Sequence, residues 1–133
     1  MTLIDRLSKL DGPDREVDAE IDVIFFGGET VWKQSNYTME QFPASKRASK
    51  NYIGGYAYEY VPSYTDSVDA AISLAARALP GYRWSAGFSR HVPHNAQIWV
   101  PSESGYYEGE SDANRAIALC IGILRAKEAS HGE

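Results

Sequence analysis

One stretch near the end of the chain carries the clearest structural signal: Ser111-Asp112-Ala113-Asn114-Arg115-Ala116-Ile117-Ala118-Leu119-Cys120-Ile121-Gly122-Ile123-Leu124-Arg125-Ala126. Apolar residues recur in it at the three- and four-residue spacing of one helical face, namely Ala113, Ile117, Cys120, Ile121 and Leu124. A serine hydroxyl is a favourable acceptor for the unpaired amide groups at the start of a helix. The stretch therefore predicts a helix that Ser111 caps and that buries one face.

Three further helices are predicted upstream of this one. The first covers residues 2–10 with Thr2 as its cap, and the second has Asp11 as its cap and ends at the glycine pair at 27 and 28. The third follows Thr65 or Ser67 and ends at Pro80. Each contains apolar residues at the spacing of one helical face, so we expect them to pack on a sheet.

The predicted strands are short and few. They lie at residues 31–33, 56–61, 82–89 and 96–100, and the last two are expected to pair antiparallel. Residues 44–51 and 101–109 are polar and are predicted as connections. The elements indicate an α+β fold, a small and mostly antiparallel sheet packed with three to four helices as an α/β sandwich, in one domain over residues 1–133.

Composition excludes several classes of protein. The chain has 13 Lys and Arg against 18 Asp and Glu, a formal net charge of −5, which argues against general binding to nucleic acids or anionic membranes. It contains one cysteine and lacks a run of about 18 apolar residues. We therefore expect a cytoplasmic protein without an intrachain disulfide, a secretion signal or a membrane span.

A basic and aromatic stretch is the leading candidate binding site: Lys46-Arg47-Ala48-Ser49-Lys50-Asn51-Tyr52. A nucleotide requires cations for its phosphate and a flat ring for its base. The candidate phosphate ligands are Lys46, Arg47, Lys50 and, from a later loop, Arg90, and the candidate stacking rings are Trp32, Tyr52 and Tyr56. The alternative interpretation is an ordinary solvated loop, because short basic runs are common on protein surfaces.

Alternating tyrosines form a second feature. Tyr56, Tyr58 and Tyr60 occupy every other position of a predicted strand and so share one face of it. A tyrosine face is suited to a pocket or a subunit interface, because each ring is apolar and keeps a polar tip. The alternative is that the rings cover a sheet within the monomer.

No residue pattern indicates catalysis. His91 and His94 lack further metal ligands nearby and are interpreted as polar loop residues, and Cys120 lies on an apolar stripe where a buried, unreactive thiol is expected. The sequence contains no nucleophile elbow, phosphate loop or zinc signature. We therefore predict a protein that is not an enzyme and that uses no metal or cofactor.

Five segments together resemble the phage ABA-sandwich domain, a family of small phage and prophage proteins. They are Leu3–Leu7, Gly12–Ile21, Tyr64–Ala71, Ala96–Val100 and Ala116–Ile121. The resemblance implies a phage or prophage origin and an α/β sandwich, and it implies no reaction. Small phage proteins of other families sequester nucleotide-derived immune signals, such as cyclic oligonucleotides or cyclic ADP-ribose isomers.

Two hypotheses follow for function. The first is a phage-encoded, homo-oligomeric binding protein that sequesters a nucleotide-derived immune signal and so acts against host defence. The second is an accessory interaction module that docks a host or virion protein through its tyrosine-rich face. An enzyme acting on nucleotides ranks below both, because no nucleophile–base pair is evident in the sequence.

Overall fold

A computed structural model describes residues 2–34, 40–48, 56–87, 94–99, 101 and 105–131. In chain order its elements are α1 (Leu3–Ser8), α2 (Arg15–Phe26), β1 (Glu29–Gln34), β2 (Gln41–Ala48), β3 (Tyr56–Tyr60), α3 (Val68–Ala78), β4 (Arg83–Gly87), β5 (His94–Trp99), β6 (Tyr107–Ser111) and α4 (Arg115–His131). They form two compact units, one of Met1–Asp14 with Ser63–Glu133 and one of Arg15–Pro62. One domain over 1–133 stays a prediction.

The α+β class is confirmed, because the described part of the chain forms antiparallel strands and four helices. The strands are divided between two sheets, ordered β1-β2-β3 and β4-β5-β6, and every neighbouring pair is antiparallel. The predicted pairing of residues 82–89 with 96–100 is observed as β4 with β5, where Trp84 lies opposite Ile98. Among the described residues, no helix combines the length and apolar character that crossing a membrane requires.

Helix α4 is the centre of the first unit. It contacts the sheet through β5 and β6 and also contacts helices α1 and α3. All nine residues from Ala116 to Leu124 are buried, and none carries a charged side chain. A helix that is apolar on all sides is enclosed by other parts of the protein. More of the α4 surface is therefore buried than the single stripe that its periodicity predicts. The predicted burial of Cys120 is confirmed, and its thiol donates to the Tyr64 carbonyl at 3.3 Å.

Two glycines allow α4 to lie directly on the sheet. A Cβ atom built on Gly109 of β6 would lie 1.9 Å from the Ala118 carbonyl oxygen and 2.7 Å from the Gly122 amide nitrogen. One built on Gly122 would lie 3.1 Å from Ile98 Cγ1. The strand backbone thus approaches the helix backbone where both residues lack a side chain, and glycine provides that clearance.

The start of α4 corrects the predicted cap. Asn114 precedes the helix, and its side-chain oxygen accepts the Ile117 amide at 2.8 Å, which is N-cap geometry. Ser111 instead ends β6, and its hydroxyl accepts the amides of Ala113 at 3.0 Å and Asn114 at 3.4 Å in the intervening turn. The Asn114 amide group also donates to the Thr65 carbonyl at 2.9 Å, so the cap fixes the segment before α3.

Other helix ends follow their sequence signals more closely. Thr2 and Asp5 form a reciprocal capping box at α1, and hydrogen bonding, first to the Thr2 amide and second to the Thr2 side chain, holds the pKa of Asp5 below its usual value. Ser67, one of two predicted candidates, caps α3. Asp11 does not cap α2, which begins four residues later at Arg15, beyond Pro13. Helix α2 ends at Phe26 and is followed by Gly27, whose φ of 70° suits glycine.

The second unit consists of α2 and the β1-β2-β3 sheet. Helix α2 contacts β2 and β1, and its buried residues include Val17 and Ile21. Arg15, its first residue, forms an ion pair with the fully buried Asp18 at 2.8 Å and donates to the Val61 carbonyl just after β3. This arginine therefore joins the start of the helix to the end of the sheet.

Two predicted connections are strands in the structure. Strand β2 occupies residues 41–48, and consecutive residues Pro43, Ala44 and Ser45 are all buried, so the apolar–polar alternation expected of a half-exposed strand is absent. Strand β6 occupies residues 107–111, where glycine at position 109 replaces the apolar residue that a strand pattern requires. In both cases a tertiary contact, rather than local propensity, selects the strand.

Candidate binding surface

Strand register builds a row of polar and aromatic side chains across the second unit. Glu29 of β1 lies opposite Lys46 of β2, and Lys46 lies opposite Tyr58 of β3. Directly opposed residues of antiparallel strands project from the same face, so these three side chains are neighbours. The Lys46 ammonium lies 3.8 Å from a Glu29 carboxylate oxygen.

Alternate positions extend this row into a surface. Lys33 and Phe42 are directly opposed, and Tyr60 lies opposite Ala44, all on the same side of the sheet as Lys46 and Tyr58. We call the set of Lys33, Phe42, Lys46, Tyr58 and Tyr60 the lysine–tyrosine face. Ala44 lies among them and is buried.

The rings of this face are ordered by their neighbours and remain accessible. The Lys33 ammonium lies 4.1 Å from the centroid of the Tyr58 ring, within the range of a cation–π interaction. Phe42 and Tyr60 meet edge to face, with centroids 6.3 Å apart and planes at 87°. Tyr58 is 48% exposed and Tyr60 is 54% exposed. Positioned rings with half their surface in solvent are suited to stacking with a flat ligand.

Two of the predicted site residues, Lys46 and Trp32, have described side chains, and the structure places them on opposite sides of the sheet. Lys46 lies on the lysine–tyrosine face, whereas Trp32 occupies the alternate position on β1 and so projects from the opposite side, 43% exposed. Trp32 therefore does not share a surface with Lys46. For Arg47 in β2 and Tyr56 in β3, the structure describes the backbone alone. Lys50, Tyr52 and Arg90 lie outside the described residues.

Sequence reasoning missed Lys33, Phe42 and Glu29 as neighbours of the tyrosines. Lys33 and Tyr58 are 25 positions apart and meet because β2 lies between their strands. Lys33 lies in the predicted strand at residues 31–33, Glu29 and Phe42 lie outside it, and assigning the partner of that strand requires the register with β2. The sequence does not predict that register, because the polar composition of residues 44–51 indicates a connection.

A polar cleft in the first unit is a weaker candidate. It has a volume of about 220 Å³ and is lined by Ser8, Glu110, Ser111, Asp112, Ile121 and Arg125. Three of its polar side chains already serve the fold. Ser8 donates to the Ile4 carbonyl, Ser111 accepts two turn amides, and Arg125 donates to the Glu108 carbonyl. A ligand in this cleft would compete with those bonds.

The histidines and the potential metal ligands of the described ranges do not form a recognisable site. Residues 2–34, 40–48, 56–87, 94–99, 101 and 105–131 contain no group of three or more His, Cys, Asp or Glu arranged to hold a metal ion. His94 begins β5 opposite Ser111 rather than lying in a loop, and its buried Nδ1 has no hydrogen-bond partner among the described residues. His91 lies outside the described residues.

Comparisons with known proteins add no identification. The chain matches no protein-family model, no curated protein and no solved structure. The resemblance to the phage ABA-sandwich domain therefore stays a prediction.

Proposed function

We propose that this protein is a non-enzymatic binding protein that captures a nucleotide-derived molecule on its lysine–tyrosine face. One observation carries the proposal: an exposed Tyr58 ring lies under the Lys33 ammonium and directly opposite Lys46 in the sheet. A ring and two cations within one surface are the groups that a base and its phosphate require.

The expected binding mode follows from the two interactions already present. A purine or pyrimidine ring would stack on Tyr58 and displace Lys33 from the ring face. Stacking of a base on an aromatic side chain contributes about 1–3 kcal/mol. Lys33 and Lys46 would then bind the phosphate, each through a charge-assisted hydrogen bond. The ion pair between Lys46 and Glu29 is solvent-accessible, so its exchange for a phosphate carries a small energetic cost.

The biological setting rests on the resemblance to small phage proteins. A phage protein that binds a nucleotide signal without degrading it would lower the free concentration of that signal in the host cytoplasm. The defence that the signal triggers would then be weakened. Binding without turnover is what sequestration requires. The proposal therefore predicts that bound ligand is recovered chemically unchanged after the protein is denatured.

We predict that Lys33→Ala with Lys46→Ala weakens nucleotide binding at least tenfold. Hydrogen bonds to charged groups contribute about 1.5–3 kcal/mol, and 1.4 kcal/mol corresponds to a factor of ten. The measurement is a thermal-shift screen against mono-, di- and cyclic nucleotides and ADP-ribose derivatives, followed by calorimetry on the class that binds. A ligand at a hundredfold excess over its Kd stabilises the native protein by about 2.7 kcal/mol.

The matched control is Lys9→Ala, which removes one lysine from the C-cap of α1 in the other unit. It is expected to leave the affinity unchanged. Equal affinity in the wild type and the double variant would reject the lysine–tyrosine face as the phosphate site. A flat thermal-shift response across the whole panel would reject the nucleotide proposal itself.

Exposed aromatic groups favour a second function, docking of a host or virion protein. Tyr58 and Tyr60 are both exposed and lie on one side of the sheet. Large aromatic side chains in solvent mark interaction surfaces when they cluster. This function predicts a protein complex and no response to nucleotides.

Under that second function, Tyr58→Ala is expected to weaken the complex by at least tenfold, because truncating a central interface tyrosine costs about 2 kcal/mol. Affinity capture from host lysate, followed by titration of the captured protein, gives the measurement. Tyr106→Ala is the matched control, since Tyr106 is equally exposed at 53% but lies in the first unit. Equal loss in both variants would contradict docking through the tyrosine-rich face.

A further inference from the structure

Strand β1 is an edge strand. It pairs with β2 on one side, and within the described ranges no strand pairs with its other side. Its residues from Trp32 to Gln34 are exposed, and Thr30 and Val31 are half-buried. An open edge presents backbone amides and carbonyls to any strand that aligns with it, so edges that are not blocked tend to acquire a partner.

The side chains of β1 are complementary to a second copy of the same strand. When Glu29-Thr30-Val31-Trp32-Lys33 is aligned antiparallel with itself about Val31, Glu29 of each copy lies opposite Lys33 of the other. Opposite charges directly across an antiparallel pair are favourable, and like charges there are unfavourable. A register shifted by one residue places Glu29 opposite Gln34 and loses both charge pairs.

We propose that the protein forms a homodimer in which β1 pairs antiparallel with β1 of a second copy about Val31. The two β1-β2-β3 sheets then form one six-stranded sheet. Glu29 and Lys33 both belong to the side of β1 that bears the lysine–tyrosine face, so the two copies of that face become neighbours. The proposal rests on strand register and charge, and it does not depend on nucleotide binding.

Charge exchange tests the proposed register. Glu29→Lys places two lysines opposite each other, and Lys33→Glu places two glutamates opposite each other, so each variant is expected to raise the dimer dissociation constant at least tenfold. The double variant Glu29→Lys with Lys33→Glu restores both pairs between copies and is expected to return the constant close to that of the wild type. Light scattering coupled to size exclusion over a concentration series measures it.

The double variant separates contacts between copies from contacts within one chain. It puts a lysine at position 29 beside Lys46 and removes Lys33 from the Tyr58 ring, so the intrachain pairs stay lost. Recovery of the dimer therefore reports pairing between copies. Circular dichroism confirms that each variant is folded. A monomeric wild type at all concentrations, or single variants that dimerise as the wild type does, would overturn the proposal.

A disulfide tests the centre of the pairing. Val31 lies opposite itself on the proposed two-fold axis, so Val31→Cys is expected to give a covalent dimer on mild oxidation. The native thiol, Cys120, is fully buried and does not compete. The control is Ser85→Cys, an exposed position on β4 at the edge of the other sheet. Equal crosslinking at positions 31 and 85 would overturn the assignment to β1.

Discussion

Replacing Gly109 with alanine is expected to destabilise the first unit by about 3 kcal/mol or more. The new Cβ would lie 1.9 Å from the Ala118 carbonyl oxygen. The strand backbone sets the position of the Cβ and the helix backbone sets that of the oxygen, so no rotamer change can separate them. Relief requires β6 to move away from α4. Because α4 also contacts β5, α1 and α3, such a shift would loosen the whole core of that unit.

Urea unfolding followed by circular dichroism measures the effect. Gly87→Ala is the matched control, since Gly87 also lies in a strand of the same sheet, its φ is not positive and a Cβ there meets no atom within 4 Å. Gly122→Ala is expected to cost less than Gly109→Ala, because its Cβ would meet a side-chain atom of Ile98 at 3.1 Å. Equal midpoints for Gly109→Ala and Gly87→Ala would contradict the close approach of β6 and α4.

Replacing Arg15 with methionine is expected to destabilise the second unit by about 3–5 kcal/mol. Methionine keeps much of the aliphatic stem but removes the guanidinium, which lies 2.8 Å from the Asp18 carboxylate and also donates to the Val61 carbonyl. Asp18 is fully buried, so its charge would lose its arginine partner without gaining water. The free-energy cost of leaving a buried charge without its ion-pair partner is larger than the stabilisation that the intact pair contributes.

A double-mutant cycle isolates this pair. Asp18→Asn removes the charge and keeps an acceptor, so Arg15→Met is expected to cost less in the Asp18→Asn background than in the wild type. Arg115→Met is the matched control, because Arg115 is likewise the first residue of a helix but is exposed and forms no ion pair with any described residue. Additive costs of Arg15→Met and Asp18→Asn would show that the two side chains are not coupled.

The candidate surface shows how far sequence reasoning reaches. The alternation of Tyr58 and Tyr60 was evident, and the structure gives both the same side of β3. The charge of Lys46 and the aromatic residue near it in the sequence indicate a binding residue, yet the ring directly opposite it is Tyr58 of β3. No sequence signal indicates Lys33, because its contact with Tyr58 crosses an intervening strand. Local pattern indicates which residues have suitable chemistry, and only strand register indicates which of them meet.

The presence of four helices and the α+β class follow from local sequence properties, because helical periodicity and glycine or proline stops belong to each segment independently. The caps of α2 and α4 do not follow in this way, since neither Asp11 nor Ser111 caps the helix predicted for it. The burial of Cys120 does follow, because an apolar stripe at helical spacing faces a core. The division into two sheets, the strands β2 and β6, and the composition of the lysine–tyrosine face follow from the tertiary structure alone. Those features depend on pairing between residues distant in the chain. At Pro43–Ser45 and at Gly109 the need to pack against another element outweighs the local alternation from which strands are predicted.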